Sequence, residues 1–210
     1  MSFSQLYEIG INIGATNYVG DIGRTNYLYA QDFGAGISFK YNLNPAIALR
    51  SSYNYLPISG DDANAATDLL IARGRTFTNT IHEFAVGLDY NFYDYNISES
   101  DKTWTPYLFL EVAAFNYAYA ESEIAPQEYN LERKTSVSIP VGFGIKSKLA
   151  GALAVSLETK FALTFEDDLD FSTARIPSLS FGTDGNDWYM FTHISFIYTF
   201  GRPPCYSGTF

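Results

Sequence analysis

The sequence lacks several features that would identify a protein class at once. Cys205 is its one cysteine, so an internal disulfide framework is excluded. No stretch approaches the run of about 18 apolar residues that marks a transmembrane helix. Lysine and arginine number 13 against 23 acidic residues, and the net charge of −10 argues against nucleic acid as a partner. Residues 1–5 have neither the basic start nor the apolar run of a signal peptide, so we expect a mature or truncated form.

Aromatic residues and glycine are abundant instead. The chain of 210 residues contains 17 tyrosines, 17 phenylalanines and 16 glycines, a composition that favours β-structure. Its mean hydropathy is −0.07. A neutral average is compatible with a membrane protein, because the strands of a membrane β-barrel carry apolar residues only at every second position.

The clearest pattern lies between Thr135 and Phe165, where apolar and polar residues alternate. Apolar side chains at every second position indicate a strand with one apolar and one polar face. Two such strands are joined at residues 148–151, a link that is long enough only for a hairpin. Each has about ten residues or more, which exceeds the usual globular strand and suits a tilted strand that crosses a bilayer.

Similar alternation predicts eight strands along the chain. The connections after strands one, three, five and seven are long, those after two and six are tight, and the one after four is intermediate. The long ones include residues 57–79, with room for a short helix, and the charged segment 121–134. Short periplasmic turns and long external loops are typical of outer-membrane barrels, and this order places both termini in the periplasm. We therefore predict an all-β, eight-stranded antiparallel transmembrane β-barrel of the outer-membrane type over residues 1–200, with a periplasmic C-terminal tail over residues 201–210.

Alternation alone does not say which face of the strands meets water. A soluble eight-stranded barrel of the lipocalin kind, with an apolar interior for a ligand, has the same period. Two features favour the membrane: the polar face is rich in glycine, alanine and serine, and aromatic residues gather near strand ends, as at membrane interfaces. The last strand also ends in alternating aromatics up to Phe200. Pro140 in strand six indicates a bulge or irregular pairing.

The polar face carries charges that the narrow interior of an eight-stranded barrel would have to pair. We expect Glu8 and Lys40, near the same end of neighbouring strands, to pair with each other. The predicted interior network consists of Glu8, Lys40, Arg50, Asp89, Glu111, Glu158 and Lys160. A barrel filled in this way should not conduct.

Candidate catalytic and metal-binding residues are few. His193 and Ser195 share one face of the last strand, the spacing that the base and nucleophile of an outer-membrane lipid deacylase can have. No orienting carboxylate can be placed beside them from sequence, which favours a structural histidine. Acidic residues cluster at 166–170 and 184–187, but their spacing matches no known calcium loop, and we expect a solvated acidic rim. We predict no catalytic residue, no metal site and no cofactor.

The C-terminal tail contains two prolines that hold it extended and outside the sheet. It is either a disordered chain end or a docking segment that faces the periplasm. A lone cysteine in an oxidising compartment suggests an intermolecular disulfide, so Cys205 is the candidate to bond a periplasmic partner.

Four stretches carry a family resemblance: NYVGDIG at residues 17–23, KTWTPY at 102–107, GNDWY at 185–189 and YTFGRPPCY at 198–206. In these the chain resembles the PorG family, the outer-membrane barrel of the type IX secretion and gliding-motility apparatus. The resemblance implies a non-enzymatic protein surrounded by outer-membrane lipid. It also implies association with a periplasmic ring, built from a lipoprotein of the PorK or GldK type and its partner of the PorN or GldN type.

Partner binding should therefore lie at the periplasmic end of the barrel. We expect it in the turns at 42–45, 96–103 and 148–151 and in the tail, and the individual candidates are Asn44, Pro45, Arg202, Pro203, Pro204, Cys205 and Tyr206. The predicted function is structural: a non-conducting barrel that anchors the ring to the outer membrane. The alternative is an outer-membrane lipid-modifying enzyme that uses His193 and Ser195, and the third possibility is the soluble ligand-binding barrel.

Overall fold

The computed structural model describes residues 6–23, 30–65, 67–93, 104–125, 128–181 and 185–201. Eight strands form one closed antiparallel sheet, in which each strand pairs with its neighbours in sequence and the last strand closes on the first. The strands are β1 (Tyr7–Val19), β2 (Asp32–Asn42), β3 (Ile47–Asp61), β4 (Thr76–Asn91), β5 (Trp104–Ala125), β6 (Glu128–Ala150), β7 (Leu153–Thr164) and β8 (Trp188–Phe200). The predicted eight-stranded antiparallel fold is confirmed.

The apolar faces of the strands point outward. Phe39, Val86 and Leu157 are 41%, 49% and 56% exposed, whereas Lys40 and Glu158 are each 2% exposed inside the barrel. This distribution excludes the soluble barrel with an apolar interior, because hydrocarbon rather than water must surround such a surface. Within the residues that the structure describes, no helix is long and apolar enough to cross a membrane.

Aromatic rings mark the turn end of the apolar surface. Tyr7 lies beside Tyr41 and Phe200, with ring centroids 5.4 and 5.5 Å apart. On the other side of the barrel, Tyr93 contacts Trp104 edge-on at 5.4 Å. Aromatic side chains at this depth are typical of the interface between hydrocarbon and headgroups.

The central strands continue beyond the apolar belt at the loop end. β5 has 22 residues and β6 has 23, so the segment 121–134, which we predicted as a charged loop, is mostly a hairpin. The cross-strand pairing continues through it from Tyr117↔Lys134, with two register shifts near the tip. The loop predicted at residues 57–79 is likewise shorter in the structure than in the prediction. β3 continues to Asp61 and β4 begins at Thr76, so both ends of the predicted loop belong to strands.

Three short helical segments complete the loop end. They are a 3-10 turn at Asp62–Asn64, helix α1 (Asp68–Arg73) and a 3-10 turn at Pro177–Leu179. Helix α1 ends at Gly74, whose φ of 64° is the left-handed conformation that glycine adopts at helix ends. The predicted short helix in this loop is thus present.

Pro140 interrupts pairing without a bulge. The ladder between β5 and β6 is broken between Leu110↔Val141 and Ala113↔Ser138, yet the register is the same on both sides. Proline has no N–H to donate, so the ladder is interrupted although no extra residue is inserted. The irregular pairing predicted at Pro140 is therefore present, whereas the bulge suggested there is not.

Candidate functional site

The interior of the barrel is filled by ion pairs centred on Arg50. Its guanidinium contacts Glu158 directly, and its Nε lies 3.3 Å from Asp89 Oδ1 and 3.9 Å from Glu111 Oε1. Lys40 Nζ lies 2.7 Å from Asp89 and 3.6 Å from Glu158. Several opposite charges that share partners in this way compensate the desolvation that a narrow interior imposes.

A second set of contacts continues the network toward the loop end. Lys160 Nζ lies 2.8 Å from Glu83 Oε1 and 2.9 Å from Glu111 Oε2. Glu83 also accepts hydrogen bonds from Tyr189 Oη at 2.7 Å and from Asn54 Nδ2 at 2.8 Å. The structure therefore brings six of the seven predicted interior residues together, and it adds Glu83 to them as an acceptor.

Glu8, the seventh, is paired differently from our expectation. Glu8 and Lys40 are opposite each other in the sheet, but the ion pair of Glu8 is with Lys146, whose Nζ lies 3.0 and 3.2 Å from its two carboxylate oxygens. Asn42 donates to the same carboxylate at 3.0 Å. The reason is the width of the barrel: it is narrow enough for β6 to reach β1 across the interior, and Lys40 turns instead to Asp89 and Glu158.

Aromatic and aliphatic side chains close the barrel above this network. The apolar layer at the loop end contains Tyr18, Leu56, Ile58, Phe77, Ile81, Phe115, Tyr117, Tyr189 and Phe191, all buried. Leu169, from the long connection between β7 and β8, is buried in the same layer. The connection thus folds over the barrel mouth as a cap, and we use "cap" for residues 165–181 with 185–187.

The acidic residues of the cap are not the solvated rim that the sequence predicted. Asp170 and Asp187 are 1% and 0% exposed. Asp187 accepts a hydrogen bond from Tyr18 Oη at 2.6 Å and another from the Leu169 amide at 2.9 Å, so it ties the cap to β1. Burial, reinforced by the charge of Asp170, raises the pKa of Asp187 to about 8. Among the described residues, no cluster of three or more His, Cys, Asp or Glu side chains is arranged to hold a metal ion.

Comparison with protein families gives one match, which extends over residues 1–209: the family described as "Domain of unknown function (DUF6089)". The chain belongs to this family. Among solved structures it is similar to Neisserial surface protein A (NspA), with 11% identity, 92% of this chain and 97% of that one covered, and a TM-score of 0.53. It is also similar to Ail, the attachment invasion locus protein of Yersinia pestis, with 9% identity, 93% and 99% coverage and a TM-score of 0.50. A comparison with curated protein sequences finds no match.

These similarities establish the fold of the DUF6089 chain as that of a small outer-membrane β-barrel. They agree with the outward apolar surface and the buried charges, which were derived from the chain alone. At identities of 9% and 11%, the similarity to these structures indicates the fold and gives no information about the activity.

The predicted partner-binding turn at 42–45 is a rigid, exposed structure in this DUF6089 barrel. Asn44 Oδ1 accepts hydrogen bonds from the amides of Ala46 and Ile47 at 2.9 and 2.8 Å, which fixes the turn. Asn91 on β4 donates to the Pro45 carbonyl at 3.0 Å and attaches the turn to its neighbour. The turn at 96–103 and the tail candidates Arg202, Pro203, Pro204, Cys205 and Tyr206 lie outside the described residues.

The side chains of His193 and Ser195 both face the interior, but the structure does not join them. Ser195 Oγ donates to Asn12 Oδ1 at 2.8 Å, and the His193 ring stacks on Phe191 with centroids 4.3 Å apart. Glu158 does lie 3.7 Å from His193 Nε2, a carboxylate neighbour that the sequence could not place. Because both residues are at most 3% exposed within a filled barrel, the arrangement favours a structural histidine over a base for lipid hydrolysis.

Two features of the interior escaped sequence reasoning. Tyr189 and Tyr18, to which the sequence analysis gave no role, point inward and donate hydrogen bonds to Glu83 and Asp187. The sequence could have predicted the inward direction of Tyr189, because on strand β8 it alternates with, and so shares a face with, Phe191 and His193. The partner of Asp187 could not be found in this way, since a loop residue has no periodicity.

Proposed function

We propose that this protein is a structural outer-membrane component of a type IX protein secretion system. Its role is to anchor the periplasmic ring, built from a lipoprotein of the PorK or GldK type and its partner of the PorN or GldN type, to the outer membrane. The proposal combines the resemblance of residues 17–23, 102–107, 185–189 and 198–206 to the PorG family with the physical state of the barrel.

The observation that supports it most is the filled interior. Four basic side chains on four different strands, Lys40, Arg50, Lys146 and Lys160, are each 2–5% exposed and each contact carboxylates across the barrel. A barrel with this interior offers no route for a solute, so its function belongs to its ends and to its lipid-facing surface. The same argument supports a non-enzymatic role that requires no cofactor.

The lengths of the connections support an orientation of the barrel in the membrane. The turns after β2 and β6 are short, while the cap and the extended hairpin of β5 and β6 lie at the opposite end. In outer-membrane barrels the short turns face the periplasm, which supports the proposal that both termini and the turn at 42–45 lie on the side of the ring. Leu43 in that turn is 52% exposed, as an apolar contact residue for a partner should be.

The first test concerns the tail and this turn. Deletion of residues 202–210 should lower co-purification of the ring lipoprotein by roughly tenfold, since a loss of about 1.4 kcal/mol of binding free energy corresponds to that factor. Leu43→Asn should weaken it in the same direction. The measurement is an affinity pull-down from solubilised outer membranes, with the heat-dependent gel shift of the barrel as a check of folding.

The matched control is Leu69→Asn, which changes an 85% exposed leucine at the opposite end of the barrel and should leave co-purification unchanged. Equal recovery of the lipoprotein with the intact chain, the tail deletion and Leu43→Asn would refute the anchoring role.

Cys205→Ser should also abolish a cross-linked species on non-reducing gels if the tail forms the expected disulfide.

A further inference from the structure

A row of outward-facing polar side chains lies directly above the apolar belt at the loop end of four adjacent strands. Tyr55, His82, Asn116 and Thr135 are successive cross-strand partners from β3 to β6, so they lie at one height. Two residues closer to the turns, the same faces carry Tyr53, Phe84, Ala114 and Val137. This row therefore marks the level at which hydrocarbon gives way to headgroups.

Arg133 extends across this row in a fixed conformation. From β6 its guanidinium reaches over β5 to β4: Nε donates to Asn116 Oδ1 at 2.6 Å, and one terminal nitrogen donates to the carbonyls of Asn116 and Thr80, both at 3.0 Å. All three acceptors are neutral. Among the described residues these hydrogen bonds use Nε and one terminal nitrogen, and they orient the group without neutralising it.

Within the described residues no carboxylate pairs with the positive charge of Arg133, in contrast to the four interior basic residues and to Lys134. Lys40, Arg50, Lys146 and Lys160 point inward to carboxylates. Lys134, the next residue in sequence, lies 2.8 Å from both Glu166 and Asp168. Over the described ranges, no carboxylate forms an ion pair with Arg133, although the protein as a whole carries a net charge of −10.

His82 provides a second group of suitable chemistry beside the arginine. Its Nδ1 lies 2.9 Å from Tyr53 Oη, and its ring contacts Tyr55 edge-on at 5.3 Å. These contacts fix the orientation of the imidazole on the lipid-facing wall. Neither tyrosine forms a hydrogen bond with its Nε2. His82 is two residues from Thr80 on β4, so it lies next to the point that Arg133 reaches.

We propose that Arg133, assisted by His82, binds the phosphate of a lipid headgroup in the leaflet at the loop end of the barrel. A guanidinium fixed at the membrane interface is suited to a phosphate group, to which the terminal nitrogen outside these hydrogen bonds can donate a charge-assisted hydrogen bond. With the orientation given under the proposed function, this leaflet is the outer one, and its phosphate-bearing lipid is lipid A.

The test is a titration of purified full-length protein in uncharged detergent with fluorescent diphosphoryl lipid A. Arg133→Gln should weaken binding about tenfold or more, the loss expected for a charge-assisted contact. His82→Phe should weaken it by a smaller factor. The matched control Arg175→Gln removes the same charge from an exposed position in the cap and should bind as the unchanged protein does. The heat-dependent gel shift verifies that each barrel is folded.

The source of the phosphate is decided by two further probes. Dephosphorylated lipid A should bind equally and weakly to the unchanged protein and to Arg133→Gln, and millimolar inorganic phosphate should not displace the lipid. Equal affinity of Arg133→Gln and unchanged protein for diphosphoryl lipid A overturns the site. Displacement by inorganic phosphate overturns the lipid assignment in favour of a free anion. Since no ring protein is present, failure here is distinguishable from failure of the anchoring role.

Discussion

Replacing Arg50 by leucine should destabilise the barrel by about 3–5 kcal/mol, the usual cost of leaving buried charges without their partner. Arg50 is the cation that Glu158, Asp89 and Glu111 share. Without it, Lys40 and Lys160 are the lysines among the described residues that still pair with these three carboxylates. Equilibrium unfolding in urea, after refolding into detergent micelles and followed by tryptophan fluorescence, gives the free energy of unfolding directly.

A second substitution separates lost pairing from lost packing. In the Arg50→Leu background, Glu158→Gln should restore part of the stability, because the carboxylate that Arg50 contacts most closely is then neutral. The exposed Arg175 supplies the control, and Arg175→Leu should change the free energy of unfolding by no more than about 0.5 kcal/mol. A cost below about 1 kcal/mol for Arg50→Leu would show that water enters the interior and screens the network.

The cap should loosen as the pH rises. Burial and the neighbouring Asp170 raise the pKa of Asp187 from 3.8 to about 8, so the closed cap holds a proton that the open cap releases. The stability of the closed cap is therefore complete below about pH 4 and declines up to about pH 8, by at most about 1.4 kcal/mol per pH unit. Hydrogen exchange of the Leu169 amide, which donates to Asp187, measures this opening.

Asp187→Asn should remove most of this pH dependence, since an amide can still accept from Leu169 and meet Tyr18 without a charge. Asp170→Asn tests the cause: it removes the charge that faces Asp187 and lowers the pKa of Asp187 in the closed cap, so the decline should end at a lower pH and the total loss of stability should be smaller. Burial also raises the pKa of Asp170 itself. A protection factor of the Leu169 amide that is independent of pH in the unchanged protein, after correction for the intrinsic pH dependence of exchange, would contradict the role of Asp187.

The strands were predictable because their information is local. The alternation from Thr135 to Phe165 predicted the hairpin of β6 and β7. The same alternation predicted that Phe39 and Lys40 lie on opposite faces of their strand. The contrast between short and long connections was equally visible in the sequence. Where pairing continued through polar residues, as in the hairpin tip at 121–134, the pattern failed because both of its faces meet water.

The contacts inside the barrel were not predictable from sequence. Register makes Glu8 and Lys40 neighbours along the sheet, but Glu8 pairs with Lys146 from β6, 138 residues away. The cap shows the same limit, because the composition of residues 166–170 suggests solvated acids whereas Asp170 and Asp187 are buried against β1. Such partners depend on the diameter and stagger of the closed sheet, which no single strand encodes.

The sequence by itself determined that this chain has eight amphipathic strands, because the direction of a side chain on a strand depends only on its parity. Tertiary structure decided which charge neutralises which, how the acidic loop closes the mouth, and that Asn116 and Thr80 hold the guanidinium of Arg133 across the outer wall. The physical reason is distance: electrostatic partners are chosen by separation across a closed barrel, and that separation exists only once the last strand has paired with the first.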